Sequence, residues 1–183
     1  MPQYAAFLRG INLGSQRRIS GADLRAAFEG LGFEDVGSFR ASGNVVFGGA
    51  SGSDAKLKAR LEEGLLKATG MEIVVFLRSA DEVNAIAAQE PFPAKAVAKS
   101  KGKLQVLVLP KKPTAAARKK VLGLSSEDDQ LAFGEQELYW LPSGGTLEST
   151  LDRQLVEKQV GPTTSRTMGT MQELAKKFFT GAP

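Results

Sequence analysis

The sequence predicts an α+β fold of two modules, each built on a split β-α-β order. Three observations carry this. Short apolar runs alternate with amphipathic stretches of helical period, the first half reads strand-helix-strand-strand-helix-strand, and the second half repeats most of that order. This is the ferredoxin-like arrangement, in which the third strand lies between the first two and antiparallel to both. With 183 residues, 42% of them hydrophobic, the chain can bury a core in one larger domain or two small ones.

The elements follow in order. Tyr4–Arg9 is an apolar run suited to a strand, and Gly10, Asn12 and Gly14 break it into a loop. Ser20 and Asp23 have capping-box spacing before Leu24, Ala27, Phe28 and Leu31, and Gly32 closes that helix in a left-handed cap. Strands at about Val36–Arg40 and Asn44–Phe47 flank the turn Ala41-Ser42-Gly43. Asp54–Thr69 is an amphipathic helix with Leu57, Leu61 and Leu65 on one face, and Glu72–Arg78 is a buried strand.

In the second half Ser79 and Glu82 cap a helix to about Gln89, which Pro91-Phe92-Pro93 terminates. Lys103–Leu109 is a strand and Thr114–Leu122 a helix. Gln130–Phe133 and Glu137–Leu141 form a hairpin. Ser149-Thr150-Leu151-Asp152 caps a helix to about Val160, and a last helix runs from about Met168 to Phe179. The second module is therefore expected to be incomplete, with a C-terminal helix in place of its fourth strand. The expected organisation is a first module over 1–78, a helix and Pro/Lys-rich connection over 79–102, and a second module over 103–183.

Composition excludes much chemistry. There is no cysteine, hence no disulfide, thiolate nucleophile, zinc ribbon or iron–sulfur cluster. There is no histidine, hence no Ser-His-Asp or Cys-His machinery and no histidine-ligated metal. No metal, no cofactor and no catalytic residue is assigned, and an enzyme would have to work through arginine, serine or carboxylates. The absence of a signal segment or a long apolar run leads to the expectation of a soluble cytoplasmic protein without membrane contact.

Three stretches are more specific: Arg9-Gly10-Ile11-Asn12-Leu13-Gly14, Ser42-Gly43-Asn44-Val45-Val46-Phe47 and Thr164-Ser165-Arg166-Thr167-Met168-Gly169-Thr170. With Pro91-Phe92-Pro93, they resemble the bacterial domain-of-unknown-function family 1697, from Tyr4 to about Phe178. The resemblance implies ferredoxin-like modules and no established reaction. That family usually carries Arg-Asn-Trp-Asn-Thr near its C-terminus. Here only Arg166 and Thr170 of that motif remain, and Ala41 stands where the family often has glutamine.

The topology itself points to a site. The end of the first strand and the turn between the second and third share one edge of the sheet, which brings Arg9, Asn12, Arg17 and Arg18 near Arg40, Ser42 and Asn44. Arginines, glycine-rich loops and a helix start suit an anionic small ligand such as a phosphate or carboxylate. The plainer reading is that the glycines supply turn geometry and the asparagines bond their own loops.

Charge gives a second reading. Between Pro91 and Ser126 there are nine basic residues and no acidic one, which against a net +4 leaves −5 elsewhere. Lys95, Lys99, Lys101, Lys111, Lys112, Lys119 and Lys120 in that stretch are candidates for nucleic-acid contact, or simply a solvated surface. A standard RNA-recognition motif is not expected, since the third strand lacks paired aromatics and Phe7 reads as core. A homodimer pairing exposed sheet faces or edges is a third possibility. Glu127-Asp128-Asp129 reads as a turn cap or solvated turn, Thr170 with Glu173 as a capping box, and Tyr139 and Trp140 as one core and one rim residue.

Overall fold

A computed structural model describes residues 3–12, 18–41 and 43–180. Two compact units divide the chain, Met1–Ala85 with Glu173–Pro183 and Ile86–Gln172.

The first unit contains β1 (Tyr4–Arg9), α1 (Gly21–Gly30), β2 (Glu34–Phe39), β3 (Asn44–Gly48), α2 (Asp54–Thr69) and β4 (Val74–Ser79), and most of α3 (Ala80–Ala87). Its antiparallel sheet has the order β2-β3-β1-β4. The central strands are the apolar runs, and they bury Ala6, Leu8, Val45 and Phe47 beneath Leu24 and Phe28 of α1 and Leu57, Leu61 and Leu65 of α2. Phe28, Phe33 and Phe47 pack with tilted rings, centroids 4.8–6.1 Å apart, where α1 meets the sheet. Helix ends follow local chemistry. Ser20 accepts from the Asp23 amide at 3.0 Å, and the backbone N–H groups of Ser79 and Glu82 each donate to the other's side chain in a full capping box. Gly32 at φ 81 and Gly70 at φ 69 turn the chain out of α1 and α2 through the left-handed region.

The second unit repeats the plan. Its elements are α4 (Ala94–Lys99), β5 (Gln105–Val108), α5 (Ala115–Leu122), β6 (Asp129–Phe133), β7 (Glu137–Pro142), α6 (Arg153–Val160), β8 (Thr164–Thr167) and the start of α7 (Met168–Phe178). The sheet order β6-β7-β5-β8 matches that of the first unit strand for strand. Leu107, Leu138 and Trp140 pack against Val121 of α5 and Val156 and Val160 of α6.

The α+β class with ferredoxin-like modules stands, with one amendment. The second module is not incomplete: β8 pairs antiparallel with β5, from Gln105 opposite Thr167 to Val108 opposite Thr164. Thr164-Ser165-Arg166-Thr167 offers no apolar alternation, and its buried positions are held by threonine and arginine. Nor does Ser149 cap α6. Asp152 does, accepting from the amides of Gln154 and Leu155, and the Ser149 hydroxyl goes to Asp129 instead. Helix α4 was also not foreseen.

Side chains rather than further strands meet exposed edges. The Val75 amide on β4 donates to Glu62 at 3.0 Å, and Ser125 accepts from the Leu131 amide of β6 at 3.2 Å. Among the described residues no helix is long and apolar enough to cross a membrane.

Candidate functional site

The expected edge of the first unit exists. Phe7 of β1 lies opposite Asn44, and the Leu8 amide donates to the Gly43 carbonyl at 2.8 Å. The end of β1 and the β2–β3 turn therefore meet. Asn12 makes the junction: its side-chain amide donates to the Ala41 carbonyl, and its carbonyl accepts from the Ile19 amide at 3.0 Å. One asparagine thus joins the segment entering α1, which carries Arg18, to the turn that carries Arg40. Arg9 stands half-buried at the end of β1. Arg17 and Ser42 lie outside the described residues.

The backbone here is unusual. Gly10 and Gly43 have φ 92 and 72, and Asn12 and Arg40 take φ 54 and 57. An arginine in the left-handed region costs about 1–2 kcal/mol, where glycine would cost little. Gly43 suits this position because φ 72 strains any other residue, and a Cβ there would stand 2.6 Å from Ile11 Cδ1, which would have to shift.

The candidates separate by role. Asn44 is 1% exposed and its amide donates to the Phe39 carbonyl at 2.9 Å, so it braces the turn from within. Asn12 likewise bonds the loop through both its amide nitrogen and its carbonyl oxygen. Arg18 and Arg40 are exposed. The Arg40 guanidinium pairs with Glu173 of α7 at 2.6 Å and lies 5.4 Å from the Phe39 ring centroid. That pair is half in solvent, so a bound anion competes with Glu173 at small cost.

The lysine-rich stretch is dispersed. Lys95 and Lys99 sit on α4 and Lys101 just before β5, whereas Lys111 and Lys112 follow β5. Lys112 pairs with Glu135 in the β6–β7 turn, and the lysine holds that carboxyl below its ordinary range. Arg118 donates to the Gly134 carbonyl at 3.0 Å and covers the Phe133 ring. Lys119 and Lys120 occupy the last turn of α5, where a positive charge suits the helix dipole.

The C-terminal motif is absorbed by the fold. Arg166 is buried in β8, bonded to the Thr164 hydroxyl at 2.9 Å and the Ser165 carbonyl at 2.8 Å, and burial lowers its pKa to about 10. Thr170 donates its amide to the Thr167 hydroxyl at 3.1 Å. Thr167 therefore caps α7, not Thr170 with Glu173. The acidic run also differs from expectation. Asp128 bonds the Ser143 hydroxyl, while Asp129 is buried and accepts from Trp140 Nε1 at 2.7 Å and Ser149 at 2.6 Å. Tyr139 and Trp140 are both buried. Sequence reasoning missed a cleft of about 400 Å³ beside α4, because α4 has no apolar periodicity to announce it.

The family model described as Protein of unknown function (DUF1697) matches residues 1–139. The chain belongs to this family. The matched residues contain the whole Arg9–Arg40 edge and end before β8 and α7. Among solved structures, this chain is similar to a conserved bacterial protein, SP0830 from Streptococcus pneumoniae. It is 22% identical with a TM-score of 0.68, over 96% of this chain and 97% of that one. This likeness establishes the fold. No curated protein matches the chain.

Proposed function

We propose that this member of DUF1697 binds a small anionic ligand, a phosphate or carboxylate group, at the edge where β1 ends and the β2–β3 turn lies. The observation that carries the reading is the pair of hydrogen bonds by which Asn12 donates to the Ala41 carbonyl and accepts from the Ile19 amide, gathering segments that bear Arg18 and Arg40 beside the end of β1 that bears Arg9. Arg40 supports it further, because left-handed backbone strain at an exposed arginine is accounted for by use of that side chain. Guanidinium forks hold phosphate and carboxylate oxygens two at a time. Asn12 and Asn44 shape the site, and Arg9, Arg18 and Arg40 contact the ligand, with Arg17 and Ser42 adjacent in sequence.

Nucleic-acid binding through the lysine stretch is the weaker reading, since Lys112 and Arg118 are engaged with the β6–β7 turn. Thermal melts with phosphate, pyrophosphate and citrate test the main reading. Stabilisation that Arg9→Ala and Arg40→Ala abolish is expected, and a shift equal in wild type and both variants rules it out.

A further inference from the structure

The second unit holds a concavity that the first-unit edge does not explain. It lies between α4 and the outer side of the β6–β7 hairpin, has a volume of about 400 Å³ and falls in the range of small-molecule pockets. Leu141, Ala96 and Pro93 give it apolar walls. Lys95 and Lys99 line it from successive turns of α4, and Gln130 faces them from β6. The spacing of four residues places both ammonium groups on one side of the helix.

A lysine pair on an exposed helix is ordinarily a solvated face. Three features set this one apart. Neither lysine has an ion pair with a described residue, even though Glu127 also lines the cleft, and the Gln130 side chain has no hydrogen bond to a described residue. The hydroxyls beside them are committed, Ser100 to the carbonyls of Gly102 and Pro142 and Ser143 to Asp128, so they form walls. Helix α4 itself has no buried residue, so its lysines and alanines serve no core.

We propose that this cleft binds a small organic anion, with a carboxylate or phosphomonoester head between Lys95 and Lys99 and an apolar body on Ala96 and Pro93. The Gln130 amide donates to the head group. Because α4 buries no residue, occupancy slows amide exchange over 94–99. This site is in a different unit from the arginine edge and neither needs the other.

Phenyl phosphate and phenylacetate, titrated to about 10 mM into labelled protein and followed by amide shifts, test it, with benzyl alcohol as the neutral control. Expected are saturable shifts at 94–100, 130 and 141 with one or both acids and none with the alcohol. The relative response to the two acids identifies the head group. Lys95→Gln with Lys99→Gln, both at exposed positions, weakens binding by about tenfold or more. Absence of shifts at these residues with both acids, or equal binding by the double variant, overturns the proposal. Shifts at 10–12 and 40–44 report the other site and do not count for this one.

Discussion

Asp129→Ala is expected to be among the most damaging single substitutions in the second unit. The carboxylate is 1% exposed and accepts from the Trp140 indole at 2.7 Å, from Ser149 at 2.6 Å and from Thr150 at 3.4 Å. Truncation leaves a buried indole N–H without an acceptor, a cost of about 1–3 kcal/mol, and removes charge-assisted bonds of about 1.5–3 kcal/mol. Relief from burying the charge offsets part of this, so the net loss is about 3–4 kcal/mol. Asp129→Asn keeps an oxygen for the indole and lets Thr150 accept instead of donate, for a loss of about 1 kcal/mol. Trp140 is the single tryptophan, so urea unfolding followed by its fluorescence reads this unit. At a slope of about 2 kcal/mol per molar urea, the alanine midpoint falls by about 1.5–2 M and the asparagine midpoint by about 0.5 M. An alanine midpoint within about 0.3 M of wild type, or equal damage by both variants, refutes the reasoning.

Three further outcomes are expected. Arg40→Gly relieves about 1–2 kcal/mol of left-handed strain while losing an exposed ion pair of about 0–1 kcal/mol. Melting therefore holds or rises, whereas phosphate affinity drops by about fivefold or more, and the opposite pattern counts against the arginine edge. Gly102→Ala places a Cβ over the Gly144 carbonyl oxygen and 2.6 Å from Pro142 Cγ, so denaturation should show a loss of about 2 kcal/mol or more. Lys112→Gln raises the Glu135 pKa toward its ordinary value, measurable by carboxyl NMR. With Lys112 present the folded pKa is depressed, so the pair stabilises above the unfolded carboxyl pKa and that contribution fades as pH falls through the folded one. The variant lacks this acid-range dependence.

What the sequence revealed depended on where apolar atoms carried the signal. β1, β3 and β4 are apolar runs and were legible, as were the caps at Ser20 and Ser79, where side chain and amide are three residues apart. β8 escaped because threonine and arginine fill its buried positions, and α4 because Ala94–Lys99 buries nothing. Ser149 and Thr170 have capping spacing, but Asp129 and Thr167 claim their hydroxyls. At the candidate site, the meeting of the Arg9 and Arg40 segments followed from strand order alone. The engagement of Arg40 with Glu173 did not, because 133 residues separate them and no periodicity links such positions. Whether Asn12 and Asn44 face a ligand or brace a turn was open in the sequence, and the structure shows both donating to carbonyls of the turn region.

The central claim is that the Arg9–Arg40 edge holds an anion. Its most direct test is a titration of inorganic phosphate into labelled protein at constant ionic strength, read by amide and arginine side-chain NMR. Saturable shifts are expected at Gly10, Asn12, Arg18 and Arg40 to Gly43 and at the arginine Nε–H groups, lost in the combined Arg9→Gln, Arg18→Gln and Arg40→Gln variant. Phosphate that leaves these signals still, or that shifts them equally in the variant, contradicts it.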